Sequence, residues 1–328
     1  MAIKVTKPQI NLREKLSSLD TPSGVAGNAM LRAETPQEQF NLIGAGRRNL
    51  ALNGNFNVSQ RGDFTIAYPV VHNDYVLDRW RTDIGSVAGS VQQIPSGFAV
   101  GNNSMRILAT SSATGYMGFV HRWNYDELPE LFSDTQDNYV VYSGWVKTNS
   151  AHFGLYVYNG GSKGRVKHSG SGEWEFISTS IPTSTLDSGS TADFNTFLYN
   201  NGTVPIATGD YLELSQMQIE INKTGVATPF EHRSYGEELA LCQRYFEKGN
   251  LNFREQSYTA GVWSTAYVNY KVTKRSPVTF DHTVGVSSGW SLVANHQGFT
   301  DSYQLRLQSS SAAQNGYYYF SWTADAEL

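Results

Sequence analysis

The sequence predicts a mainly β protein: an extended N-terminal arm with short helices, a jelly-roll β-sandwich, a linking helix and a small C-terminal β-sandwich knob. Three observations lead there. Only 16% of the 328 residues are charged, against about 25% in average chains. Ser, Thr and Asn make up about a quarter of the chain, and Tyr, Phe and Trp number 19, 16 and 7, the residue types of turns and strands. From residue 48 onward, short runs alternate apolar and polar positions and are separated by turn clusters.

The arm covers residues 1–47 and holds Pro8, Pro22 and Pro36. Asn11 can cap a short helix carrying Leu12, Leu16 and Leu19 at i, i+4 and i+7. Thr35-Pro36-Gln37-Glu38 is a stronger start signal: Thr35 caps, Pro36 suits the first helical position and Glu38 completes a capping box. Phe40, Leu42 and Ile43 follow, and Gly44 ends the helix. So short a segment cannot build its own core, so it is read as an anchor that packs onto something else, its own domain or another chain; a flexible tail is the alternative.

Residues 48–233 read as the sandwich. Tyr139–Lys147 is the clearest central strand. A second strand, His152–Tyr158, places Phe153, Leu155 and Val157 on one face and Tyr156 and Tyr158 on the other. Asn149-Ser150-Ala151 between them suits a hairpin. Glu173–Ile181, Asp193–Tyr199 and Asp210–Ile221 continue the series, and Trp123 and Tyr125 fall in a loop. Strands at this spacing suit a sandwich or jelly roll; a barrel is the alternative that periodicity does not separate.

Residues 234–249 read as the linking helix. Ser234-Tyr235-Gly236-Glu237 is a capping box, Leu241, Cys242, Tyr245 and Phe246 make an apolar stripe, and Gly249 closes the helix. Cys242 on that stripe reads as a packed thiol. Residues 250–328 return to strands, with Ala266, Val268, Tyr270 and Val272, then Tyr303, Leu305 and Leu307, then Tyr318, Phe320, Trp322 and Ala324 alternating with other residues. A unit this small is under-supplied with core, and self-association is the usual remedy.

Several function classes drop out. No apolar run reaches the length of a membrane span, and the first residues lack a signal-peptide core. One cysteine rules out an intrachain disulfide framework. A net charge of −4 argues against a nucleic-acid partner, which needs a basic patch. The chain is expected to be made in a reducing cytoplasm.

Catalytic signals are weak. Asp74, Asp78 and Asp83 cluster, as do Asp126, Glu127 and Glu130, but nothing places two of them at the separation glycoside hydrolysis requires. The seven histidines show no metal-ligand spacing, and there is neither a Gly-x-Ser-x-Gly elbow nor a phosphate loop. The expectation is no enzyme, no cofactor and no metal. Aromatic residues say more, because an exposed ring can stack on the apolar C–H face of a sugar. Tyr156, Tyr158 and Tyr199, the last beside Asn200 and Asn201, are the candidate glycan-binding residues; filling a core or a subunit interface is the alternative for each.

Asn49–Phe56, Trp80, Ser143–Lys147 and Leu212–Glu220 come in an order that resembles the carbohydrate-binding-module-like jelly rolls of phage structural proteins. The block Val226–Phe246 is similar to a segment common in bacteriophage tail-fibre proteins, and the ending Phe320–Leu328 to their C-termini; phages of cyanobacteria are the nearest group. The resemblance implies a non-enzymatic virion protein, often a homotrimer. The arm, through Leu12, Leu16, Leu19, Phe40, Leu42 and Ile43, docks on tail or neck proteins, and distal β domains meet host-surface polysaccharide. Such sandwiches sometimes hold a structural calcium, but Asn53 and Asn55 stand where acidic residues often occur. Two alternatives stay open: a capsid, collar or neck decoration without a receptor role, and a polysaccharide depolymerase.

Overall fold

The computed structural model describes residues 48–97, 103–127, 138–187, 191–198, 205–293, 297–310 and 313–327. The expected arm helices, with Leu12, Leu16, Leu19, Phe40, Leu42 and Ile43, lie outside the described residues. The chain divides into two compact units, Met1–Arg48 and Asn49–Leu328, and every described strand belongs to the second.

The first thirteen strands are β1 (Tyr68–Val70), β2 (Arg81–Gly85), β3 (Gly89–Pro95), β4 (Asn103–Ala109), β5 (Ala113–Thr114), β6 (Tyr116–Trp123), β7 (Tyr139–Thr148), β8 (Phe153–Tyr158), β9 (Ser162–Lys167), β10 (Trp174–Pro182), β11 (Ala192–Leu198), β12 (Pro205–Ile206) and β13 (Tyr211–Asn222). Helix α1 (Tyr235–Gln243) follows. Then come β14 (Phe246–Ser257), β15 (Trp263–Asn269), β16 (Thr279–Ser288), β17 (Trp290–Leu292), β18 (Gln297–Gly298), β19 (Ser302–Ser309) and β20 (Ala313–Asp325).

The fold is mainly β and built from antiparallel sheets. A six-stranded sheet of order β1-β3-β4-β13-β7-β10 faces a five-stranded sheet of order β2-β6-β11-β8-β9. Alternation dictates the core, because residues two apart share a face. Met105 and Ile107 of β4, Tyr142 and Val146 of β7, and Leu212 and Leu214 of β13 meet Phe119 of β6, Phe153 and Leu155 of β8 and Phe194 of β11. Trp80 and Phe56 are enclosed beside them, with ring centroids 5.1 Å apart. In β13 the register slips between Ser215 and Gln218, and Gln216 takes a positive φ of 51° there. This bulge keeps Met217 in the core by inserting a residue where the alternation would otherwise turn it out.

The expected hairpin through residues 149–151 does not form. β7 pairs with β10 and β13, whereas β8 pairs with β9 and β11 in the other sheet. The link carries the chain from one layer to the other. Alternation had assigned the core faces of both strands, but two core faces looking at each other across a sandwich have the same sequence pattern as two side by side. Trp123 is a second correction. It ends β6 and is buried against the Tyr245 ring, 6.3 Å centroid to centroid; His121 and Arg122 disguised the strand by placing polar residues on it.

The linking helix is shorter than expected. Ser234 caps it, its Oγ accepting from the Glu237 N–H at 3.3 Å, but α1 ends at Gln243. Tyr245 lies beyond it, and Phe246 opens β14 opposite Asp325 of β20. Leu241, Cys242, Tyr245 and Phe246 therefore do not share one helical stripe, although Cys242, Tyr245 and Phe246 are buried. Gly249 is not the residue after a helix but the fourth residue of β14, pairing with Trp322. The ladder to β20 satisfies the backbone groups that a longer helix would have satisfied.

The C-terminal strands form two small sheets, β14-β20-β16 and β15-β19-β17 with β18 also on β19. Ala266 and Val268 of β15, Leu305 and Leu307 of β19, and Tyr318, Phe320 and Trp322 of β20 form a separate core between them. Rings supply much of it: Phe280 stacks on Tyr303 at 3.8 Å.

Candidate functional site

Among the described residues, the outer face of the six-stranded sheet is covered over one half and open over the other. The covered half lies beneath residues 224–233. The Thr228 N–H donates to Glu220 Oε1 at 2.8 Å and its hydroxyl to Oε2 at 2.7 Å, and the Glu231 N–H donates to Gln218 Oε1 at 2.8 Å. Gln218 and Glu220 are buried as a result.

The open half carries a transverse row. Gln92 on β3, Arg106 on β4, Glu213 on β13, Lys147 on β7 and Trp174 on β10 are successive cross-strand partners. Directly opposed side chains stand about 5 Å apart, so the row is continuous across five strands. Arg106 Nε lies 3.5 Å from Glu213 Oε1, and the Arg106 guanidinium sits 4.6 Å over the Tyr211 ring. The next row holds Ser215, Trp145 and Phe176. Trp145 and Phe176 meet edge to face at 5.6 Å, and Phe176 is 46% exposed. Glu213 itself is buried, and this burial pushes its carboxyl above the usual range while Arg106 and then Lys147 pull it back. The face thus offers ring surfaces beside a carboxylate acceptor and two cationic donors.

The residues expected to bind glycan lie elsewhere. Tyr156 and Tyr158 are on β8 of the other sheet. Tyr156 is only 4% exposed, on a strand flanked by β9 and β11, so its ring offers a sugar little surface; Tyr158 is 44% exposed. Tyr199 lies outside the described residues. Trp145, Trp174, Phe176 and Tyr211 were missed as a group. The signal was present: Trp145 and Lys147 alternate with the core residue Val146, and Trp174 and Phe176 with Ile177, so each pair points outward. What could not be read was that β10, β7 and β13 stand side by side.

The other titratable clusters have structural employment. Asp78 is buried and accepts from the Gln60 backbone and side-chain amides, both at 2.7 Å. Asp83 pairs with His72 at 3.1 Å, and the Asp74 carboxylate accepts from the Val71 N–H at 2.8 Å. Glu127 lies 3.6 Å from Arg275; Glu130 is outside the described residues. Asn53 spends its amide on the carbonyls of Val58 and Asp78 and its oxygen on the Val58 N–H. Among the described residues no group of three His, Cys, Asp or Glu side chains could hold a metal ion. Cys242 is fully buried, which pushes its thiol well above the ordinary value. No helix among the described residues is long and apolar enough to cross a membrane.

No protein-family model matches the chain, and no curated protein does. Solved structures do match. The CBM61 module in complex with β-1,4-galactotriose is 16% identical, with a TM-score of 0.32, covering 52% of this chain and 97% of that one. The family 11 carbohydrate-binding module of the cellulase Lic26A-Cel5E of Clostridium thermocellum is 13% identical, with a TM-score of 0.29, covering 51% of this chain and 99% of that one. A structure described as that of CBM4 is 10% identical, with a TM-score of 0.29, covering 52% and 98%. The solved structures this chain is similar to thus include carbohydrate-binding modules.

Proposed function

We propose that this chain is a non-enzymatic glycan-binding protein and that the open half of its six-stranded sheet is the sugar platform. The observation that carries the reading is the row Gln92, Arg106, Glu213, Lys147 and Trp174, bordered by the rings of Trp145, Phe176 and Tyr211. A pyranose has an apolar C–H face, which packs on an aromatic ring, and a rim of hydroxyls, which needs donors and acceptors. Trp174 and Phe176 supply the first kind of surface. Glu213 accepts, and Arg106, Lys147 and Gln92 donate, in the mixture of apolar walls and a few polar groups typical of ligand sites. Affinity electrophoresis of the full chain through gels holding host-surface polysaccharides tests the reading. Retardation by at least one polysaccharide that Trp174→Ala and Phe176→Ala both abolish is the expected result; unchanged retardation of both variants overturns it.

We further propose that the protein acts in a virion, as a short tail fibre that docks through residues 1–47 and presents its β domains to the host surface, as a homotrimer. The support is the resemblance of Val226–Phe246 to tail-fibre segments. Immunogold labelling of purified particles with an antibody to the C-terminal strands tests it. Label on the tail is expected; label on the capsid shell replaces the fibre with a decoration protein. Sedimentation at micromolar concentration checks the trimer.

A further inference from the structure

Among the described residues nothing packs on the outer face of the β15-β19-β17 sheet. On β15, Trp263, Thr265 and Tyr267 point away from the core residues Ala266 and Val268. Trp263 is 53% exposed and Tyr267 54%, and neither ring packs on another aromatic ring among the described residues. Opposite them on β19 stand Gln308, Arg306 and Gln304, paired in register with Trp263, Thr265 and Tyr267. The face is therefore a grid two strands wide: ring, hydroxyl, ring on one strand and amide, guanidinium, amide on the next. Both rings lie on the same side of one strand, four residues apart, or about 14 Å at roughly 3.4 Å per residue.

Two features narrow what this grid fits. The first is area. Two rings of roughly 150–250 Å² each fall well short of the about 800 Å² per partner that a stable protein interface buries. A protein partner would also bury Gln304, Arg306 and Gln308, leaving their donors to be satisfied one by one. The second is charge. Arg306 is exposed at the centre of the grid and makes no ion pair among the described residues. Among the described residues no carboxylate shares its face: the outward neighbours are Thr265, Gln304 and Gln308, with Ser291, Val293 and Gln297 on the far side of β19. An exposed edge strand is ordinarily blunted by charges of its own; this one carries rings and a hydroxyl, with a single cation beside it.

We propose that this face is a second carbohydrate site, selective for an extended oligosaccharide that bears a carboxylate. Sugar C–H faces stack on Trp263 and Tyr267, the carboxylate of an intervening uronate takes the Arg306 guanidinium in a bidentate contact, and Gln304 and Gln308 bind flanking hydroxyls. The site uses different residues from the six-stranded sheet, and its cation makes no ion pair among the described residues, whereas Arg106 faces Glu213. Its truth does not depend on the first reading.

Isothermal titration calorimetry on the full chain tests it, with three acidic probes (hexagalacturonate, a mannuronate hexamer and a hyaluronan hexasaccharide) and the methyl ester of each. At least one acid is expected to bind about tenfold or more tightly than its ester, the size of a charge-assisted contact. Arg306→Gln is expected to abolish that preference while leaving the circular dichroism unchanged. Trp263→Ala and Tyr267→Ala should each weaken binding, whereas Trp174→Ala should not. Binding of none of the acids, equal binding of acid and ester, or an acid preference that survives Arg306→Gln overturns the proposal. Loss in Trp174→Ala but not in Trp263→Ala overturns it too and leaves the sandwich site standing.

Discussion

Arg79 and Glu327 form a buried ion pair that ties the start of the sandwich to the last residues of the knob. The Arg79 side chain is wholly enclosed and that of Glu327 nearly so. Arg79 Nη1 donates to Glu327 Oε2, its backbone N–H to Oε1, and Nη2 to the Arg122 carbonyl. The guanidinium also lies 3.7 Å over the Tyr245 ring. Arg61 adds a second cation, 2.9 Å from Asp325 and 3.4 Å from Glu327. Arg79 sits at a positive φ of 71°, a region that a non-glycine residue occupies only when its surroundings hold it there.

Removing one partner of such a pair strands the other charge in the interior. Glu327→Ala is expected to lower unfolding stability by about 3–5 kcal/mol, read from the midpoint and slope of urea denaturation. Arg79→Met with Glu327→Leu should cost less than the sum of the single changes, because neither charge is then left alone. A loss under about 1 kcal/mol in Glu327→Ala, the scale of an exposed pair, would show that water reaches the site.

His121 gives stability a pH dependence. Its Nε2 accepts from the Leu52 N–H at 3.1 Å, and its ring is packed between Trp80 and Trp123. Burial, then the positive charges of Arg79 and Arg233, hold it well below the ordinary histidine value of 6.5. A folded value below the unfolded one means that the unfolded chain binds the extra proton. The contribution is therefore intact above pH 6.5 and is lost on acidification, at up to about 1.4 kcal/mol per pH unit. His121→Gln, which keeps an acceptor for Leu52, should flatten the stability curve between pH 7 and 5 relative to the unaltered chain, measured by urea midpoints at about unit intervals.

Gly249 sits under the Trp322 indole. A Cβ there would lie 2.6 Å from Cζ2 and 2.9 Å from Cε2 of that ring. Trp322 is part of the knob core, so it has little room to retreat. Gly249→Ala is expected to cost about 1–3 kcal/mol, the usual penalty of overpacking, seen as a lowered Tm. A helix-terminating glycine would instead be sensitive through its φ.

On the sandwich face, Arg106→Gln removes both the contact with Glu213 and the cation over Tyr211. The expected effect on polysaccharide binding is a loss of about 1–2 kcal/mol, or roughly tenfold, accompanied by a lowered urea midpoint because the buried Glu213 then keeps only Lys147 as a cationic neighbour. Tyr158→Ala, on the opposite sheet, should leave retardation unchanged.

Strand character and face assignment were legible in the residues themselves. The alternation in Tyr318, Phe320, Trp322 and Ala324 marked one core, that in Phe153, Leu155 and Val157 the other, and Ser234 with Glu237 marked the start of α1. These signals are local: a period of two or a cap is set by neighbours a few residues away. Strand partnership was decided by the tertiary structure alone. It sent residues 149–151 across the sandwich, opened β14 at Phe246 where the helix pattern continued, buried Tyr156 on a strand between β9 and β11, and assembled Gln92, Arg106, Glu213, Lys147 and Trp174 into one row from five strands. The physical reason is that a β ladder joins residues far apart in the chain. Alternation tells which way a side chain points, and only the ladder tells what stands beside it.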